Sequence, residues 1–555
     1  MDKLFRFLHR ETTSLHSAAY LLGFFAVFSQ VLAFLRDRLL AHIFGASASL
    51  DVYYAAFRIP DFLFVTVASI VSISVLVPFI VERDKESKES VQEFISGIFS
   101  FFSILIITAC AITFFLIPFI SSQLFRGFSP EMLSQVVLVS RIMLLSPIAL
   151  GFSNLFGSLT QAYNRFTIYA LAPLLYNTGI ILGILLLGRG LGVIGVAIGV
   201  VFGASLHALV QLPFIIKEGF FPKRFHLDFA PVKRVISLSL PRTLTLSTNH
   251  ISMIFLVSFA SLMTIGSVSV LSFSINMQGV PLTIVGVSYS LAAFPALSRL
   301  FAEKNIGAYI EQMAATARHI IFWSLPLTAL FVVLRAQIVR VLLGTGRFDW
   351  DATRLTAAAL ALFVVSSVFQ SLLLLFMRAF YAAGQTKRPL YINLVSTVIL
   401  IAVTYGAVHL FSSSPNFQYF STELLKVGGI SGAVVLMLPL GYSIGTIING
   451  LIHWVGFERE FGGFTKLVRR TVFESFGASV IMGATAYVSL VLFAPLFNTE
   501  TLLGIFLQGF SAGIVAIVIG VMILYTLGSK ELAETWKALH AKFWKARVIA
   551  EDYEY

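Results

Sequence analysis

Residues 17–60 read SAAYLLGFFAVFSQVLAFLRDRLLAHIFGASASLDVYYAAFRIP. The first part is long and apolar enough to cross about 30 Å of hydrocarbon, yet it carries Arg36, Asp37 and Arg38. Gly45 then marks a tight turn, and a second apolar stretch brings Asp51, Arg58 and Pro60. The same alternation of apolar runs and short polar turns recurs along all 555 residues. The chain is 57% hydrophobic and 12% charged, against about 25% charged in soluble domains. It cannot cover itself in charge and must use lipid as solvent. The one cysteine, Cys110, lies in an apolar run, which excludes a disulfide scaffold.

Fourteen spans are predicted, near 17–44, 54–80, 92–120, 131–160, 166–188, 190–216, 232–261, 266–295, 314–336, 353–382, 389–412, 424–454, 471–495 and 501–527. The closest pair, the fifth and sixth, is separated only by Gly188-Arg189-Gly190. The first run lacks a small-residue cleavage site and reads as a retained helix rather than a signal peptide. With the N-terminus placed in the cytoplasm, the tails and loops on that side hold 26 Lys and Arg, and the opposite loops hold 7. That bias orients both termini to the cytoplasm. It also accounts for the net charge of +12 without a nucleic-acid partner.

An internal repeat organises the spans. Gly45 to Asp51 and on to Pro60 parallels Gly266 to Ser272 and on to Pro281, at one offset. Both copies follow an odd-numbered span, so they run in the same direction. The expected fold is an all-α polytopic membrane protein of about 14 transmembrane helices, with two parallel pseudo-symmetric six-helix lobes plus two C-terminal helices. The corresponding segments are a cytoplasmic N-terminal segment 1–16, an N-lobe 17–216, a cytoplasmic linker 217–231 and a C-lobe 232–454. An appended pair of spans, 471–527, and a cytoplasmic tail, 528–555, complete the chain. In that tail Leu532, Trp536, Leu539 and Phe543 at helical spacing among lysines predict an amphipathic helix on the inner leaflet.

Six basic residues fall within or at the edges of spans: Arg36, Arg38, Arg58, Arg141, Arg242 and Arg378. Charge at that depth is costly and marks cavities, pairs or snorkelling ends. Arg36 is mid-span. Asp37, adjacent in sequence, should point about 100° away and leave Arg36 unneutralised. Arg58 precedes a helix-bending proline, and Asp51 near the outer mouth is placed to pair with either arginine. Arginine suits a phosphate ligand because its planar fork holds two oxygens and stays charged in a low dielectric. Arg141, Arg242 and Arg378 lie near span ends and read as snorkelling. His207 and His250 read as packed or hydrogen-bonded residues. An outer loop with Arg335, Arg340, Arg347 and Arg354 beside Asp349 and Asp351 reads as ion-paired, or else as a basic collar for an anion. No GxxxxGK[ST] loop, metal-ligand spacing or catalytic cluster occurs, so the chain is not expected to be an enzyme or to hold a cofactor.

The stretch Phe28-Ser-Gln-Val-Leu-Ala-Phe-Leu-Arg36-Asp37-Arg38 through Gly45, followed by Asp51 to Pro60, resembles the opening of the MurJ (MviN) lipid II flippases of the MOP exporter superfamily. Gln161-Ala-Tyr-Asn-Arg165-Phe166, Pro295-Ala-Leu-Ser298 and Phe380-Tyr-Ala-Ala-Gly-Gln-Thr-Lys387 extend the resemblance. It implies a flippase that moves an undecaprenyl-pyrophosphate-linked peptidoglycan precursor (lipid II) across the bacterial cytoplasmic membrane by alternating access. The partners it implies are that lipid-linked precursor with its pyrophosphate, membrane lipids and cell-wall synthesis proteins. It also implies a cationic central cavity and a lipid-tail groove at spans 13 and 14. The substrate residues implied are Arg36, Asp37, Arg58 and Asp51, with Gln30 and Asn276 standing where the family usually has arginine. Phe64 replaces another such arginine, and Ala33 a glycine. These departures leave open an exporter of another polyprenyl-linked glycan or small molecule, or a non-transporting scaffold. The coupling ion, or use of the membrane potential, is also left open.

Overall fold

In the computed structural model residues 15–71, 73–222 and 229–544 are described, and every regular element among them is helical. Eleven of these helices are long and apolar enough to cross a membrane, or 12 if the pair Trp350–Val365 and Ser367–Ala382, bent by 42°, is one span. Two predicted spans are not among them: 17–44, whose first side chains lie outside the described residues, and 54–80, which is broken. Leu15–Phe44 is one 30-residue helix, and it carries Arg36, Asp37 and Arg38 in its second half. The second stretch is divided into Ala48–Leu63, a π-helical turn Phe64–Ala68, and Ile73–Asp84.

Breaks at membrane depth are tolerated when neighbours satisfy the freed backbone. Pro60 has no N–H to donate to the carbonyl of Ala56, and the Ser140 hydroxyl donates to that carbonyl instead at 3.0 Å. At the interruption after the π turn, Ser239 donates to the Ile70 carbonyl at 2.9 Å, and the hydroxyls of Ser69 and Thr243 lie 2.8 Å apart. The repeat is visible in local structure. Gly45 and Gly266 both adopt positive φ, +65° and +92°. Each is followed by a helix that reaches its matched proline and passes into a π-helical turn, Phe64–Ala68 or Leu282–Val287.

The fifth and sixth spans meet at Gly192 (φ +58°), two residues beyond the glycines that suggested the boundary. The helices Phe166–Leu182 and Val193–Leu209 pack glycine against glycine. A Cβ on Gly179 would lie 2.2 Å from the Gly203 Cα, and one on Gly183 would lie 2.5 Å from the Gly199 Cα. Spacing of four residues puts Gly179 and Gly183 on one helix face and Gly195, Gly199 and Gly203 on the other. This is the small-residue pattern that lets membrane helices approach closely.

The chain forms two compact units. One comprises Met1–Phe273, Leu342–Thr356 and Asn393–Leu438; the other comprises Ser274–Val341, Ala357–Ile392 and Pro439–Tyr555. In the second unit an aromatic core gathers Tyr309, Phe376, Phe380, Phe457 and Phe464, and the Tyr309 hydroxyl donates to the Ala379 carbonyl at 2.9 Å. The last two spans, Phe464–Phe493 and Leu502–Thr526, belong to this unit. Met482, Ala486 and Ala516 pack with Leu330 of the Ile306–Val333 helix, so they are an integrated part of it rather than an appendage. The tail forms the helix Lys530–Trp544. Trp536 is exposed while Glu531 is buried. Glu531 accepts from Arg318 at 3.1 Å and Thr471 at 2.9 Å, which docks the helix. The side chains of Leu539 and Phe543 lie outside the described residues.

Candidate functional site: a cavity at Arg36

The site is built in the first unit. One face of Ala48–Leu63 and its continuation supplies Phe57, Pro60, Asp61 and Phe64, the i, i+3, i+4, i+7 stripe of a helix. With Arg36, Met143, Ser146, Leu150, Tyr176 and Val200 these residues line a cavity of about 300 Å³. Its wall is mainly apolar, and the two charged residues that line it are Arg36 and Asp61.

Arg36 is held from two sides. Its Nε and Nη2 donate to Asp37 Oδ1 at 2.9 and 2.8 Å, and its Nη1 donates to Asn177 Oδ1 at 3.2 Å. The adjacent carboxylate was expected to face elsewhere. The three-carbon arm of arginine instead folds back along the helix and closes the pair. Asn177 is fixed in turn by donating to Ser29 Oγ at 3.3 Å and the Pro173 carbonyl at 3.2 Å. Arg36 keeps 20% of its side chain accessible, so it is positioned but not sealed.

The other sequence candidates are placed differently. Asp51 pairs with neither arginine. It accepts from the backbone N–H groups of Gly266 and Ser269 at 2.6 and 2.8 Å, and from Ser269 Oγ at 2.6 Å. A carboxylate is favoured there because the first N–H groups of the Ser267–Pro281 helix have no intrahelical acceptor. Arg58 follows Phe57 by one residue and so leaves the cavity stripe; its Nη2 donates to Ser272 Oγ at 3.4 Å. Its buried Nε has no hydrogen-bond partner. The two contacts are related by the repeat, since Ser272 occupies in the second copy the position of Asp51 in the first. Gln30 lies part-buried on the first helix, outside the cavity lining. Asn276 belongs to the second unit.

Several other readings change. Arg141 does more than snorkel: its Nε donates to the Phe114 carbonyl at 3.2 Å and its guanidinium covers the Phe114 ring at 4.5 Å. Arg242's side chain lies outside the described residues. Three arginines of the outer loop bond carbonyls, Arg335 to Val332 at 2.8 Å, Arg340 to Thr499 at 2.9 Å and Arg354 to Lys426 at 3.0 Å. Asp349 caps the Trp350–Val365 helix by accepting from Ala352 N at 2.7 Å. His207 is hydrogen-bonded as expected, its Nδ1 lying 2.6 Å from Ser153 Oγ. His250 also has a polar partner, as the hydrogen-bonded reading allows: its Nδ1 lies 3.3 Å from Asp61 Oδ2.

Sequence reasoning missed Asp61, Tyr176 and Asn177. Asp61 was findable, because the stripe beginning at Phe57 includes it. Asn177 had no local signal, since its partners are 141 and 148 residues away.

A family model described as lipid II flippase MurJ matches residues 40–510. The chain belongs to the MurJ lipid II flippase family. Relatives in the family include a probable lipid II flippase MurJ of Buchnera aphidicola, 29% identical over 67% of this chain and 74% of the relative. One from Thermotoga maritima is 26% identical over 78% and 93%, and the lipid II flippase MurJ of Burkholderia cenocepacia is 23% identical over 79% and 90%. Among solved structures, a lipid II flippase MurJ in an inward closed conformation superposes with a TM-score of 0.70 at 21% identity, covering 94% of this chain and 99% of that one. An inward-facing MATE multidrug transporter of the MOP superfamily gives 0.64 at 16% identity, over 79% and 96%. These two likenesses establish the MurJ-like, MOP-type fold. Membership of the MurJ family makes this chain a multi-pass membrane protein, and the flippases of that family are transporters.

Proposed function

We propose that this MurJ-family chain flips lipid II, an undecaprenyl-pyrophosphate-linked peptidoglycan precursor, across the bacterial cytoplasmic membrane by alternating access. The observation that carries this reading is the cavity at Arg36. A cation held by Asp37 and Asn177 at membrane depth, yet still partly accessible, lies in an apolar pocket large enough to receive a diphosphate. In this reading Arg36 grips the diphosphate and Asp37 positions it. Gln30, on the helix that carries Arg36, supplies a neutral donor when the cargo enters, and Arg58 offers its unpartnered Nε when the contact with Ser272 opens. Asp51 acts as a latch, because its bonds to Gly266 and Ser269 hold two outer turns closed and must break for outward opening. The pair Phe464–Phe493 and Leu502–Thr526 forms the surface for the polyprenyl tail. Cell-wall synthesis proteins supply and consume the cargo.

The test is complementation of a flippase-depletion strain together with translocation of lipid II in vesicles. Arg36→Ala is expected to reduce both by at least tenfold, the equivalent of losing one charge-assisted bond worth about 1.5–3 kcal/mol, with Arg36→Lys intermediate. Unchanged translocation by Arg36→Ala overturns the reading. Phe64 in the cavity wall, where the family usually has arginine, favours a second reading in which the cargo is a different polyprenyl-linked glycan. Phe64→Arg and Gln30→Arg separate the two. Improved lipid II transport supports the first reading; loss of transport with unchanged expression supports the second.

A further inference from the structure

Asp61 Oδ2 and His250 Nδ1 lie 3.3 Å apart, and each side chain is 29% exposed. Asp61 lines the cavity. His250 stands on the Phe229–Ser261 helix, inside its apolar stretch Thr243–Ser261. A carboxylate and an imidazole at that depth are costly unless they pair or do work. The proposed translocation uses neither of them.

The ionisable groups around this pair are few. Arg58, one turn earlier on the same helix, and Tyr176, from Phe166–Leu182, interact electrostatically with Asp61. Arg36 lines the same cavity but is already paired with Asp37. The Lys88–Leu124 helix packs on the Phe229–Ser261 helix and has no acid or base between Glu93 and its end except the Cys110 thiol. On Ile73–Asp84 the ionisable residues are confined to its last turn, Glu82 to Asp84. Lys387–Ser413 meets the histidine helix at Thr397, which accepts from Ser252 at 3.4 Å, and carries Tyr405 and His409 two turns or more beyond.

The charge of the cavity therefore depends on one proton. With that proton held between Asp61 and His250 the two groups form a neutral ion pair, and the second pair, Arg36 with Asp37, is neutral as well. When the proton leaves to water, the Asp61 carboxylate, offset in part by Arg58, adds a negative charge to the wall that Arg36 shares. An anion entering the cavity is then repelled. Binding linkage is reciprocal, so an anion that prefers the protonated cavity must also draw a proton onto it. We propose that Asp61 and His250 form a proton-binding site whose occupancy is coupled to anion binding at Arg36. This rests on the cavity holding a diphosphate, as proposed above. The proton comes from bulk water and returns there; no bond other than N–H or O–H changes. Anion affinity is highest when the pair is protonated and falls as rising pH removes the proton.

The full-length chain in nanodiscs tests this with two probes, inorganic pyrophosphate and undecaprenyl pyrophosphate, titrated calorimetrically between pH 5.5 and 8.5 in buffers of different ionisation enthalpy. The native chain is expected to take up protons on binding and to lose affinity with pH at least about fivefold more steeply than Asp61→Asn/His250→Gln, the low end of ordinary site-to-site coupling. Equal pH slopes and equal proton uptake in the two proteins overturn the proposal, and the common titration of the probe cancels in the comparison. A ligand-free arm follows the His250 resonance in 15N-histidine spectra, assigned by its loss in His250→Gln. Asp61→Asn is expected to move its titration midpoint, and an unmoved midpoint overturns the pair. If neither probe binds the native chain while the Asp61 effect on His250 persists, the diphosphate reading has failed and the coupling to it fails too, while the proton site stands. Arg36→Ala should abolish probe binding and leave the His250 titration in place.

Discussion

At the scale of single residues, the same side-chain type serves opposite ends according to what its neighbours leave free. Asp37 holds an arginine, Asp51 satisfies backbone N–H groups, and Asp61 meets a histidine. The Asp51 contact is the most open to a one-atom test. Its carboxylate offers only acceptors to three donors, whereas an amide would turn an N–H2 group toward at least one of them. Asp51→Asn is expected to cost the closed outer turn about 1–3 kcal/mol, the penalty for a buried donor left unmatched. A cysteine at Ala46, beside Gly266, reports the change: Ala46→Cys should label faster with an impermeant maleimide when combined with Asp51→Asn. Equal labelling rates would show that the contact does not govern the outer turn. Arg36 was legible in the sequence because a charge inside a span stands out against its apolar surroundings. The role of Asp51 was not, because its partners are 215 and 218 residues away.

At the scale of helices, close approach in lipid has no hydrophobic drive behind it, so contact must come from packing and from satisfied backbone. The Phe166–Leu182 and Val193–Leu209 pair depends on this. A methyl group on Gly183 would sit 2.5 Å from the Gly199 Cα, which is backbone and cannot turn aside. Gly183→Ala is therefore expected to separate the helices and cost about 1–3 kcal/mol by overpacking. The effect should appear as a lowered thermal midpoint in detergent and as displacement of Asn177 from Arg36. Gly190→Ala meets nothing within 4 Å and serves as the neutral comparison; equal midpoints for the two variants would rule out the glycine contact as the cause. The existence of both helices was readable from hydropathy, and their boundary was misplaced by only two residues. The glycine register could not be read in the same way, since it requires knowing which faces meet. The docking of the tail helix through buried Glu531 was hidden for a related reason: its hydrophobic stripe was visible, but its anchor is a charge whose partners, Arg318 and Thr471, are far away in sequence.

At the scale of the whole molecule, the sparse charge that announces a membrane protein also sets its orientation, and here the count of spans matters. Eleven or 12 of the described helices pass on length and apolarity, while the basic-residue bias of 26 against 7 is kept only if the helix Leu15–Phe44 and the broken stretch 48–84 cross together or not at all. If only one of them crossed, every later loop would change sides and the bias would invert. If neither crossed, the later loops would stay where they are, but the turn at Gly45 would remain in the cytoplasm. Single cysteines distinguish all three cases, with little background because Cys110 is buried. With both spans in place, Ser49→Cys and Glu131→Cys should react with an impermeant maleimide on intact spheroplasts, and Glu86→Cys and Lys537→Cys only after permeabilisation. All four positions are exposed to solvent or headgroups. Labelling of Glu131 without Ser49 would mean that neither charged segment crosses. Labelling of Lys537 from outside would mean that the parity is odd, and the in–in topology and the outer position of the Asp51 latch would fail together.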